Sequence, residues 1–258
     1  ASWVKSGFIG AFVNFFDTLG IGSFAPLTAL LDFFKQLDHD RLLPGTLNVS
    51  CTIPVMTEAF IFIKSVEVDP VTLFAMVAAA TVGSFVGSRT VSKLPEKKVQ
   101  FYMGLALLVT AALMLLRQFG ALDALGTGNE AVALTGIKLI IAVVINFFLG
   151  ALMTIGVGLY APCMALVYML GLNPLVAFPI MMASCAGLMP VASAEFIKAG
   201  VYARKSSIAI SIGGIVGVFI AAKFVTGLPM NVLTIIITIV VIYTAITYIK
   251  KSKQSAAA

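Results

Sequence analysis

Charge is scarce in this chain. Asp, Glu, Lys and Arg make up 11% of its 258 residues, where a soluble domain carries about a quarter. Histidine is nearly absent, with His39 alone in a polar stretch. A lone histidine cannot build a His-Glu metal set, so no metal site is expected. There is no paired-Asp motif, no G-x-S-x-G elbow and no Walker A loop. A membrane-embedded enzyme is therefore the weakest reading, and ATP-driven pumping by this chain alone is set aside. Only three cysteines occur, Cys51, Cys163 and Cys185. All sit in apolar runs without metal or disulfide spacing and read as small buried hydrophobes. No cofactor is called for, and no cleavable signal-peptide pattern is seen.

Apolar residues fill the space. They make up 60% of the chain, and the mean hydropathy is +1.07. Several runs exceed the ~20 residues that cross a bilayer, and nothing alternates like a barrel strand. The expected class is an all-α polytopic membrane protein, with the lipid bilayer as its surroundings. The net charge of +6 is no nucleic-acid footprint. The basic residues lie mostly between or at the ends of apolar runs, as the positive-inside rule requires.

One stretch stands out. Thr18-Leu19-Gly20-Ile21-Gly22-Ser23-Phe24-Ala25-Pro26 recurs 136 positions later as Thr154-Ile155-Gly156-Val157-Gly158-Leu159-Tyr160-Ala161-Pro162. Two glycines and a proline do not suit a smooth helix. Non-helical backbone survives at membrane depth only when buried in protein or lining a cavity. Each copy is thus a helix break of the kind at which transporters bind, or else a set of small residues for close helix packing.

The copies belong to a longer duplication. Val82-Gly83-x-Phe85 with Arg89, Val91, Leu94 and Pro95 matches Val216-Gly217-x-Phe219 with Lys223, Val225, Leu228 and Pro229. Ser50-Cys51 echoes Ser184-Cys185, and Glu58 lies near the counterpart of Glu195. The first repeat, 1–117, holds a broken run at 6–34 and helices at 45–64, 70–91 and 99–116. A linker covers 118–135. The second, 136–258, holds a broken run at 137–170 and helices at 174–197, 206–226 and 230–249.

Charge then sets the topology. If each broken run crosses once, the 17 Lys and Arg divide 10 against 7. If each turns back, one side holds Lys5, Lys35, Arg41, Arg89, Lys93, Lys97, Lys98, Lys198, Arg204, Lys205, Lys250, Lys251 and Lys253. The other holds Lys64, Arg117, Lys138 and Lys223, a split of 13 to 4. The positive-inside rule prefers the second arrangement. It predicts two inverted repeats, each a Gly/Pro-broken helical hairpin plus three transmembrane helices, with both termini cytoplasmic. The expected location is a bacterial-type inner (plasma) membrane.

With the glycine-proline runs, the Gly45-Thr46-Leu47-Asn48 helix start and the Val82-Gly83-x-Phe85 helix in view, the chain resembles the sulfite exporter TauE/SafE family. The resemblance covers nearly the whole chain and rests on order and duplication. It implies a transporter of sulfur-containing anions such as sulfite, sulfoacetate and related organosulfonates. The chain departs from the family pattern in three places. Its glycine clusters are thinned, Ile180-Met181-Met182-Ala183 stands where a second Gly-Thr start belongs, and Asp17 is not carried over from the family.

A broken helix bares N–H groups at its new N-terminus, with about half a positive charge. Gly20, Gly22, Gly156 and Gly158 would let a small anion approach that backbone. Thr46, Asn48, Ser50 and Thr52 offer donors in the next helix, with Ser184 and Cys185 in the matching place. The alternative for these hydroxyls is a bond back to their own helix. Asp17, Glu58 and Glu195 are charges inside apolar runs. They are proton-coupling candidates, with structural hydrogen bonding or interfacial anchoring as the alternative. The leading reading is a secondary anion transporter working by alternating access, possible proton coupling included. A passive anion channel or a non-transporting scaffold stands beside it, and the oligomeric state is left open.

Overall fold

A computed structural model describes residues 1–125, 127–224 and 230–254. The repeat matches at Val225, Leu228 and Pro229 lie outside the described residues. The described residues form eleven α-helices in chain order: α1 (Trp3–Thr18), α2 (Phe24–Phe33), α3 (Leu43–Ser65), α4 (Pro70–Val91), α5 (Glu96–Gln118), α6 (Ala121–Leu125), α7 (Gly136–Met153), α8 (Tyr160–Met169), α9 (Pro174–Ala199), α10 (Arg204–Phe224) and α11 (Met230–Gln254). Among the described residues the one β feature is an isolated bridge between Ala131 and Leu172. Among the described residues six segments are long and apolar enough to cross a membrane: α4, α5, α7, α9, α3 with its leading turn, and most of α10. The chain is an all-α, multi-pass membrane protein. α7, expected only as the first limb of a broken run, is long enough to cross by itself. α2 and α8, at 10 residues each, would reach only about 15 Å.

Both expected breaks are present, and their local chemistry is the same. Gly20 N–H donates to Asp17 O (2.8 Å) and Ile21 N–H to Phe16 O (3.2 Å). Gly156 N–H donates to Met153 O (3.0 Å) and Val157 N–H to Leu152 O (3.3 Å). Each is the paired-bond ending in which a glycine takes the left-handed conformation, at φ +86° for Gly20 and +113° for Gly156. The prolines play a different part from the one their sequence suggests. Pro26 and Pro162 fall in the first turn of α2 and α8, where the missing N–H would be unpaired anyway. Glycine stops one helix; proline is accommodated as the next begins.

After each break the chain comes back. Ser2 N–H (2.7 Å) and the Ser6 hydroxyl (3.3 Å) both donate to Gln36 Oε1, so the end of α2 lies beside the start of α1. In the second half, Asn129 Nδ2 donates to Tyr168 O (2.8 Å) and Asn173 N–H to Ala131 O (2.8 Å). The chain leaving α8 therefore lies beside the segment that leads into α7.

Glycine-mediated backbone contact organises the rest. A Cβ at Gly10 or Gly213 would strike the backbone of Ile210 or Gly7, so α1 and α10 touch main chain to main chain. A Cβ at Gly83 or Gly150 would strike Phe147 or Ala80, so α4 and α7 do the same. Such small-residue seams replace hydrophobic drive in lipid. Both pairs run parallel. α3 and α9 pair antiparallel, with the hydroxyls of Thr52 and Ser193 3.0 Å apart and Gly45 against Val201. α5 and α11 are also antiparallel, with Gly104 against Ala245 and Ile249 and the Ser252 hydroxyl donating to Lys97 O (3.0 Å). Inside α3, Pro54 leaves Ser50 O without its helical donor, and the Ser211 hydroxyl of α10 supplies one at 2.8 Å.

Candidate functional site

The two breaks meet. Gly22, Ser23 and Phe24 from the first and Gly158, Leu159 and Tyr160 from the second line one small cavity, with Asp17, Val55, Met153 and Cys185. Its volume is about 20 Å³, room for about one water molecule. A second small cavity shares Gly22, Phe24, Gly158 and Tyr160 and is closed by Thr110, Leu113 and Met114 of α5. Because α2 and α8 both begin at this place, two helix N-termini bring their bare N–H groups and partial positive charge to one point.

Beside them stands a carboxyl pair, with Asp17 in reach of the Ser23 backbone at the start of α2. Asp17 (1% exposed) and Glu58 (0%) are buried, and Asp17 lies within interaction range of Ser23, Tyr160 and Glu58. The Tyr160 hydroxyl donates to Glu58 Oε2 at 3.0 Å, and the Thr18 hydroxyl to Glu58 Oε1 at 3.1 Å. Asp17 Oδ2 is buried without a hydrogen-bond partner. Among the described residues no Lys or Arg lines the cavity. The charge of two buried carboxyls is then left to the helix N-termini, to protons or to a bound cation to balance.

The structure sorts the expected residues. Gly22, Gly158, Asp17 and Cys185 line the cavity, and Glu58 joins them through Tyr160. Gly20 and Gly156 shape the breaks; Met103 covers Gly156. Thr46, Asn48, Ser50 and Thr52 are engaged with protein instead. Thr46 and Thr52 donate to Leu42 O (2.7 Å) and Asn48 O (2.6 Å), Asn48 to Pro44 O (2.9 Å), and Ser50 to Leu47 O (3.4 Å). These are bonds back to their own helix. Thr46 also accepts from Ala203 N–H (2.9 Å), in front of α10. Ser184 accepts from Asn146 (3.2 Å). Glu195 is separated from the cavity altogether. It lies near the end of α9, paired with Arg89 (3.3 Å) and Lys198 (3.4 Å).

Tyr160 is what sequence reasoning missed. Its signal was a hydroxyl in the second copy where the first has Phe24. Nothing local said that a tyrosine 102 residues away would meet Glu58.

Residues 1–114 match the model of the family described as sulfite exporter TauE/SafE. That is a family of membrane transporters for sulfur-containing anions. The match takes in α1 to α4 and most of α5, hence Asp17, Gly20, Gly22 and Glu58. Gly156, Gly158, Tyr160 and Cys185 lie beyond it. No curated protein and no solved structure matches the chain.

Proposed function

We propose that this protein is a secondary transporter of small sulfur oxyanions, of the sulfite, sulfoacetate or other organosulfonate class, working by alternating access. One observation carries the reading. Two broken spans, from two halves of the chain, line the same two small cavities, with both returning helices starting there. Backbone N–H groups and helix dipoles recognise an oxyanion without covalent chemistry, which suits a solute to be released unchanged.

The halves act as inverted repeats, 1–117 and 136–258. The opposite directions of α3 and α9, and of α5 and α11, support this. Both termini then lie on the same, cytoplasmic face of an inner membrane, the face richer in Lys and Arg. At about 20 Å³ the cavity is too small for a sulfite ion, so its walls must part to load one, as those of a carrier do.

Asp17 and Glu58 take up protons as the anion binds. An anion entering beside two ionised carboxyls would be repelled, and proton uptake removes that repulsion. Purified protein in liposomes should take up radiolabelled sulfite, thiosulfate or sulfoacetate down an imposed gradient. The transported anion should raise the protein's melting temperature in detergent. Absence of uptake and of thermal shift for all three would reject the assignment.

A further inference from the structure

Arg117 stands apart from the other basic residues. It sits in the last turn of α5, and its Nη1 reaches across to donate to the Gly20 carbonyl inside the first break. A Cβ at Gly20 would come within 3.2 Å of both Arg117 Nη2 and the Phe178 ring. The half-buried guanidinium and Phe178 thus cover the break together. One turn earlier on α5, Leu113 and Met114 wall the cavity shared by Gly22 and Gly158.

Among the described residues one other basic side chain is of comparable burial, and it is already engaged. Lys251, at the matching place on α11, is paired with Asp32 (2.6 Å) and Asp40 (3.3 Å). Arg117 makes no ion pair among the described residues. Asp123 and Tyr168 bear on it only electrostatically. A cation that has left water without a carboxylate partner, held by a neutral carbonyl above an oxyanion cavity, has charge to offer a passing anion.

We propose that Arg117 is an anion-capturing, specificity-determining residue at one mouth of the pathway. The guanidinium exchanges the Gly20 carbonyl for two oxygens of an arriving sulfur oxyanion, which its planar fork fits. Release of Gly20 then lets the first break move, so opening is tied to the presence of the anion. This inference rests on the transport reading above.

Sulfite uptake into proteoliposomes tests it, with wild type, Arg117→Gln and Arg117→Lys. The half-saturating sulfite concentration should rise about tenfold or more in Arg117→Gln, the loss of one charge-assisted contact. The maximal rate should change much less. Arg117→Lys keeps the charge without the fork and should fall between. A half-saturation in Arg117→Gln within twofold of wild type overturns the proposal, as does a fall in maximal rate alone, which marks a strut for the break. If Arg117→Gln does not fold, Arg117→Lys decides: a several-fold rise supports capture, and an unchanged value overturns it. Wild-type protein that moves none of sulfite, thiosulfate or sulfoacetate rejects the transport reading and this inference together. Transport by wild type with an unaltered Arg117→Gln rejects the inference alone.

Discussion

Gly22 and Gly158 look alike in sequence but differ as residues. Both face open space, yet Gly22 holds φ +93° while Gly158 does not need the left-handed region. A side chain at 22 would strain the backbone as well as fill the cavity. Gly158→Leu is therefore the cleaner probe. It should cut sulfite uptake at least tenfold while moving the melting temperature by no more than about 3 °C, roughly 1 kcal/mol for a chain of this size. Beside it, Asp17→Asn removes one of two buried carboxyls and leaves the shape. Transport of a sulfonate, which unlike sulfite does not itself titrate near neutral pH, should lose its dependence on external pH in this variant, measured in proteoliposomes. A wild-type pH profile in Asp17→Asn would end the proton role. The presence of two acidic residues in apolar runs was legible from the sequence. Their meeting under Tyr160 was not, because it joins α1, α3 and α8 across long stretches of chain.

At the scale of helices, stops and seams carry the fold. The breaks after α1 and α7 could be read from glycine and proline spacing; the left-handed endings at Gly20 and Gly156 and the place of the prolines inside the next helix belong to the backbone geometry. At this scale the donors of α3 take the alternative left open for them, bonding within their own helix. In an apolar interior a serine or threonine finds its nearest acceptor one turn back on its own helix, and Thr46, Asn48 and Thr52 do so. The α4–α7 seam is the sharper test of element packing. A Cβ at Gly83 meets the Phe147 main chain rather than a movable side chain, so the helices must separate to admit it. Gly83→Leu should lower stability by about 1–3 kcal/mol, read as a falling melting temperature in detergent. Val82→Leu, on the exposed face one residue away, should leave it nearly unchanged.

For the whole molecule, the decisive expectation concerns sides. Residues 35–44 and 93–98 join at one end of the bundle: Asp40 N–H donates to Glu96 Oε1 (2.9 Å), and Gln100 reaches Asp40 (3.0 Å). Single cysteines at exposed positions such as Lys35 and Lys97, in a background lacking Cys51, Cys163 and Cys185, should be labelled by membrane-impermeant maleimide only in inside-out vesicles. Labelling of intact cells would reject the cytoplasmic placement of that end. The amino-acid order by itself determined the membrane class, the helix breaks and the duplication, because apolar run length, glycine-proline spacing and repeated motifs are local properties of a chain. Only the tertiary structure decided that the carboxyl pair belongs to the first half and its tyrosine to the second, that Glu195 is spent on a surface ion pair, and that Arg117 lies over Gly20. Those relations depend on which helices touch, and burial in three dimensions sets that.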